Sequence, residues 1–187
     1  MKQLIALFVA AAMLASFSAV AEDAAPIQFS FFDFNAPKTK DVSGVRFPAI
    51  YGKQGGNVQG ADLQLLAWSE MESLKGVSFP LLIAGGNKIT GDMTGVSFGL
   101  LSWHLGNDTG VNLSAINITN NVKGMNWGVV NVATGYTVAD ISAVNISKKS
   151  NFQLGIFNKT DEIDGVQIGI FNCAKDGFLP CFPFVLF

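Results

Sequence analysis

Apolar and polar positions alternate in an eight-residue pattern that recurs along most of the chain. It is clearest late, where Gly165 to Asn172 reads GVQIGIFN and Asn151 to Asn158 reads NFQLGIFN. Related segments begin at Pro26, Gly44, Gly60, Gly76, Gly95, Gly110, Gly124, Val138 and Leu179, so eleven copies run in tandem. The second, fourth and sixth positions are mostly apolar; the fourth holds Phe47, Phe79, Phe98, Trp127, Leu154 and Ile168. The third is mostly polar, with Gln28, Arg46, Asp62, Asn112, Asn126, Asp140, Gln153 and Gln167. A period of two predicts strands with one buried face, and no helical period survives in these windows. The second and fourth columns are therefore expected to form the core. An aspartate at Ile168 would then be an unpaired buried charge.

The fifth column is small or rigid, for example Pro48, Gly99, Ser114, Gly128 and Gly155. The eighth is Asn117, Asn131, Asn145, Asn158 and Asn172 in the regular second half. Such asparagines suit a strand-end turn, and stacked in register they can hydrogen-bond as a ladder. Copies that keep one polarity, a single Asn edge and apolar residues such as Ile118, Val132 and Ile146 in the return segments favour an all-β fold, a parallel β-solenoid of about 11 short rungs at about 4.8 Å spacing. The Asn would mark the corner of each rung. An antiparallel β-meander or small β-barrel is the alternative. It draws on strands of about eight residues and the aromatic Phe187 end, although membrane strands run roughly 9–11 residues with their aromatics gathered at two levels.

The seventh column is apolar throughout and includes Val130, Val144, Phe157 and Phe171. Strict alternation turns it outward as an interaction stripe; a tight arc at the Asn corner would turn it inward. Both orientations remain open at the level of sequence.

Residues 1–21 read as a secretory signal peptide. Lys2 precedes a short apolar run, and Ala19-Val20-Ala21 fits the small-x-small cleavage rule ahead of Glu22-Asp23. Residues 22–187 form a single β-repeat domain. The expected location is exported: periplasm, outer membrane or cell surface. Charged residues make up only 14% of the 187-residue chain, with 12 basic against 14 acidic, so nucleic acid is not an expected partner. The chemistry inventory is thin. His104 is the only histidine, without the ligand cluster of a zinc site or a nucleophile elbow. Glu70, Glu72, Asp161, Glu162 and Asp164 fall in connections, and Gly85-Gly86-Asn87-Lys88 lacks phosphate-loop spacing. We expect no catalytic, cofactor or metal residues. Cys173 and Cys181 are the only cysteines, and export makes a disulfide between adjacent copies the expected pairing.

The GVQIGIFN and NFQLGIFN copies, with the Pro-rich aromatic ending from Phe178 to Phe187, resemble bacterial surface-repeat proteins of the Leptospira and Bacteroidetes type. Those carry G-V-Q-I-G-L-x-N units about 14 residues apart. The likeness is strong over 151–187, fair over 95–145 and weak before. It implies an exported, envelope-associated protein with no assigned activity, ligand or site residues. The sequence thus leads to a non-enzymatic exported repeat protein presenting an extended β surface for binding or envelope association. The alternative is an outer-membrane barrel serving as pore or anchor. A protein or a membrane surface could be the partner, and so could a second copy of the chain.

Overall fold

The computed structural model describes residues 24–65, 68–82 and 85–187. The expected signal peptide lies outside them, as does Leu66 of the seventh column. The described residues form a parallel β-solenoid of about ten turns, all strand and without helix. One wall is built from β1 (Ala24–Phe32), the first part of β3 (Asp41–Lys53), β4 (Asn57–Gln64), β6 (Ser73–Pro80), the first parts of β8 (Met93–His104) and β9 (Asn107–Thr119), β10 (Asn121–Trp127), β12 (Tyr136–Ile141), and the first parts of β14 (Lys149–Thr160) and β15 (Glu162–Ala174). The second wall uses the later parts of the long strands together with β5 (Trp68–Met71), β7 (Gly86–Ile89), β11 (Val130–Ala133) and β13 (Val144–Ile146).

Each copy lies in register on the one before. Asn112 sits beside Asn126, Asn126 beside Asp140, Asp140 beside Gln153 and Gln153 beside Gln167, all in parallel ladders. That register removes the meander and barrel alternative, whose neighbouring strands would run in opposite directions.

Both ends differ from the tandem pattern. After β1 the chain folds back as β2 (Phe34–Ala36), which pairs antiparallel with β1. The eleventh copy is not a rung either. It becomes β16 (Cys181–Leu186), antiparallel on β15, because the Cys173–Cys181 disulfide ties it back and Pro183 lacks the N–H a further rung would offer.

The first motif position explains why most rungs begin with glycine. Gly110 has φ 141°, and a Cβ there would lie 1.9 Å from the carbonyl oxygen of Gly95 in the rung below. Only glycine permits that approach. Where Val138 and Asn151 begin a copy, this extra residue is missing and the register slips against the glycine-bearing neighbours.

The interior corrects the expected core. The second and fourth columns face outward, with Trp127 56% exposed and Ile168 39% exposed. The third-column residues Gln28, Arg46, Asp62, Asn112, Asn126, Asp140, Gln153 and Gln167 are buried. Among the described residues, buried polar side chains outnumber buried apolar ones more than two to one. Two walls joined by a rung of about 14 residues leave a thin interior that small and amide side chains fill, whereas Phe and Trp do not fit.

An apolar core exists, but it lies at the opposite edge of the coil. Val42, Val58, Leu74 and Met93 from one wall meet Met71 and Ile89 from the other. The Asn residues are also displaced from their expected position. The corner falls at the fifth and sixth columns, and Asn131 and Asn145 lie just beyond it on β11 and β13, pointing inward.

Inside the coil, polar groups bond from rung to rung. Asn117 Nδ2 donates to Asn131 Oδ1 at 2.8 Å, Asn131 to Asn145 at 3.0 Å, Asn145 to Asn158 at 2.8 Å and Asn158 to Asn172 at 2.7 Å. Gln167 Nε2 donates to Gln153 Oε1 at 2.6 Å, and Arg46 Nη1 reaches Asp62 at 3.1 Å and Ser69 at 2.7 Å. Breaking such a chain strands a buried donor or acceptor, at roughly 1–3 kcal/mol. Asn145→Leu is therefore expected to destabilise by about 3 kcal/mol although it adds apolar surface. Ile168→Asp, now an outward position, should change stability by less than about 1 kcal/mol. Urea unfolding of both variants checks this; the opposite ranking would restore an apolar interior.

Candidate functional site

With polar groups turned inward, the surface itself is the candidate site. On one wall, Val111, Met125, Ala139, Phe152 and Val166 stand beside Leu113, Trp127, Ile141, Leu154 and Ile168, as the second and fourth columns of successive rungs. Phe29 stacks on Phe47 at 5.4 Å between ring centres, and Phe79 packs edge-on against Phe98 at 5.3 Å. At the corner, Val129, Ile156 and Ile170 are 58%, 55% and 54% exposed. On the other wall, Val130 pairs with Val144, Val144 with Phe157 and Phe157 with Phe171. This stripe faces outward, half-buried along its length and exposed at Phe171.

The apolar columns wrap a convex edge and both of its flanks. About nine rungs, with roughly 13 Å of strand on one flank and about 7 Å on the other, give an apolar surface on the order of 800 Å², beyond the few hundred Å² usual on a monomer. On the second flank Lys53, Glu70, Lys88 and Lys159 follow two residues beyond the stripe.

The backbone of this edge bonds internally. Leu65 N donates to Pro48 O, Leu81 N to Gln64 O, Val129 N to Ala115 O, and Ile156 N to Ala143 O. The asparagine ladder completes the satisfaction of the corner. Asn117 Nδ2 also donates to Trp127 O, Asn145 Nδ2 to Leu154 O, Asn158 Nδ2 to Ile168 O and Asn172 Nδ2 to Gly169 O. One amide group thus ties neighbouring rungs together and accounts for corner carbonyls.

The opposite edge is charged and of mixed sign. Lys149 meets Glu162 at 3.2 Å and Asp164 at 2.9 Å, and Lys175 meets Asp161 at 2.8 Å. Those hydrogen-bonded partners hold Lys149 above and Asp161 below their ordinary values. On the outward face of the second wall, two residues beyond the stripe, Glu70 pairs with Lys88 at 3.4 Å and accepts from the Tyr51 hydroxyl at 2.9 Å; burial and that bond push Tyr51 up to about 12. Lys88, from the Gly85-Gly86-Asn87-Lys88 segment, also lies 5.2 Å over the Trp103 ring, so that segment is a structural strand.

His104 lies buried, with Nδ1 2.7 Å from Asp108 and Nε2 2.7 Å from Asn87, so both ring nitrogens are engaged away from any accessible nucleophile. Among the described residues no group of three or more His, Cys, Asp or Glu is placed to hold a metal ion, and no helix is long and apolar enough to cross a membrane. Burial lowers the Arg46 guanidinium from its ordinary value against the pull of Asp62. The Cys173–Cys181 disulfide joins β15 to β16 at the last rung.

Sequence reasoning singled out the seventh column but left its orientation open, and gave the second and fourth columns to the core. The available signal was size variation. The fourth column runs from Leu to Trp beside glycine or serine, which a thin interior does not accommodate. Comparison with family models, characterised proteins and solved structures finds no match.

Asp140 offers a test of the polar interior. Burial raises its carboxyl above the ordinary value, against hydrogen bonds from Thr137, Asn126 and Gln153 that favour the carboxylate. A raised folded value means that its contribution to stability is lost as pH rises through that value and is fully present below the unfolded value of about 3.9. Asp140→Asn is therefore expected to be more stable than the parent near pH 8. That advantage should shrink towards pH 4, and a difference independent of pH would contradict the account.

The end staple makes a separate prediction. Cys181→Ser should lower stability by about 2–3 kcal/mol, the entropy of closing so short a loop. It should also bare the edge of β15 and promote end-to-end association, readable by light scattering. Unchanged thermal unfolding and dispersity would deny β16 a capping role.

Proposed function

We propose that this is a non-enzymatic, exported repeat protein that associates with the cell envelope through an extended apolar β surface. The observation that carries the reading is the inversion of the coil. The polar residues of the third and eighth columns are buried and bonded to one another, while apolar residues cover an edge and the adjoining parts of both its flanks. A surface of that extent in water would draw copies together without specificity, so the reading assigns it a cover. The N-terminal pattern over residues 1–21 supports export, and the Cys173–Cys181 disulfide fits an oxidising compartment.

The experiment is cell fractionation with Phe157→Ser, Phe171→Ser. Both side chains are outward on neighbouring rungs, so the double variant should keep its β circular dichroism and unfolding midpoint. Two buried phenyl groups contribute roughly 2 kcal/mol each, so the variant's partition into the envelope fraction should fall at least tenfold. Full retention of a folded variant, or release of the parent chain by buffer alone, would refute the reading.

A further inference from the structure

We propose that the covering partner is lipid hydrocarbon, and that the solenoid lies with its axis parallel to the membrane and its apolar edge sunk into a single leaflet. This rests on the envelope-association reading above and adds to it the chemistry of the partner and the orientation of the protein.

Three observations carry the inference. The first is shape. The apolar residues occupy Leu113 and Trp127 on one flank, Val129 and Ile156 at the convex corner, and Val130 and Phe157 on the other flank. A second copy or a flat protein partner covers one flank of such a wedge and leaves the corner and the far flank wet. Acyl chains surround a convex edge on all sides.

The second is backbone chemistry. Hydrocarbon offers no partner to a bare N–H or C=O, which is why helices and closed barrels are the usual structures within it. Along this edge the corner amides donate to carbonyls of neighbouring rungs and asparagine side chains cap further carbonyls, so the solenoid meets the same requirement.

The third is the placement of charge and the reach of the wedge. Lys123, Lys148, Lys149, Glu162 and Asp164 lie at the opposite edge, in the turns and at the positions just before the motif. From Met125 in the second column to Val129 in the sixth is four residues, about 13 Å of strand. Half of a roughly 30 Å hydrocarbon core is about 15 Å. The wedge is therefore at most one leaflet deep on the Met125 flank and about 7 Å deep on the Val130 flank, where Lys53, Glu70, Lys88 and Lys159 mark the water line, and the ion-paired edge remains in water. The mixed charge of that edge predicts no requirement for anionic lipid.

The test is depth measurement by spin labels on the purified protein in phosphatidylcholine vesicles. Single cysteines replace Asn121, Met125, Trp127 and Val129 across one rung, and Ala143, Ile156 and Ile170 along the corner. The Cys173–Cys181 disulfide stays oxidised. Relative collision with oxygen and with a water-soluble nickel chelate reports depth. Edgewise insertion predicts that the Asn121 label lies in water and that Met125, Trp127 and Val129 lie progressively deeper. It also predicts equal depth for Val129, Ala143, Ile156 and Ile170, and the same partition with phosphatidylglycerol added. Depth changing from rung to rung along the corner would mean a spanning solenoid; it would overturn the edgewise inference and leave envelope association standing. Labels that never contact hydrocarbon, in a protein that still fractionates with the envelope, would overturn lipid as partner in favour of protein or a second copy. Release of the parent chain from the envelope would defeat the underlying reading. Trp127 in the chain carrying Trp68→Phe and Trp103→Phe reads depth without a label. Brominated acyl chains should quench it strongly, and the absence of quenching would overturn the inference.

Discussion

The structure depends on hydrogen bonding between side chains stacked inside a thin parallel coil. Asn117, Asn131, Asn145 and Asn158 each commit one amide proton to the next rung, and several commit the other to a corner carbonyl. In a thick domain such groups would be costly to bury. Here every rung repeats the same geometry, so each donor finds an acceptor one rung away, and satisfied polar networks in low dielectric are strong and geometrically exacting. The same rung spacing brings Gly110 against Gly95 and pins the register on the outer wall.

Commitment of the interior to polar ladders puts most large apolar residues outside, apart from the cluster of Val42, Val58, Met71, Leu74, Ile89 and Met93, a smaller one of Ile163, Ala174 and Leu186, and Val122. The two edges of the coil are thereby opposites. Beneath the charged turns of the N-terminal half lies the apolar cluster, while beneath the apolar corner lies the asparagine ladder. A water-facing edge backed by apolar packing is ordinary. A backbone corner satisfied from within and covered by Val129, Ile156 and Ile170 is what a non-aqueous environment requires. The antiparallel strands β2 and β16 then keep the end rungs from templating further copies.

Much of this was legible in the residues. The tandem spacing, the constant polarity of the motif and the Asn column led to parallel stacking, and Val130, Val144, Phe157 and Phe171 stood out as one apolar column whose facing the sequence left open. The orientation of the strands was not. Alternation reports that two faces differ; it does not report which faces solvent, and the usual assignment of apolar residues to the inside fails for Phe47, Trp127 and Ile168. Column variance held the answer. Gln153 with Gln167, and Asn145 with Asn158, preserve one hydrogen-bonding group from rung to rung, while the fourth column tolerates Leu, Trp, Ile and Phe. The turn-back of β16 had a local sign in Pro183 but needed the third dimension to be read. A partner such as Asn87 on His104 is far enough away in sequence that only the stacked rungs bring the two together.

The central claim is that this coil carries its polar groups inside. Hydrogen exchange of the side-chain carboxamides of Asn131, Asn145 and Asn158, followed by nuclear magnetic resonance, tests it most directly. Buried ladder amides should be protected to the same degree as the backbone amides of their own rungs and should exchange only when the coil opens. Exchange at the rate of free asparagine, with the backbone of those rungs still protected, would place these side chains in solvent and contradict the inverted interior.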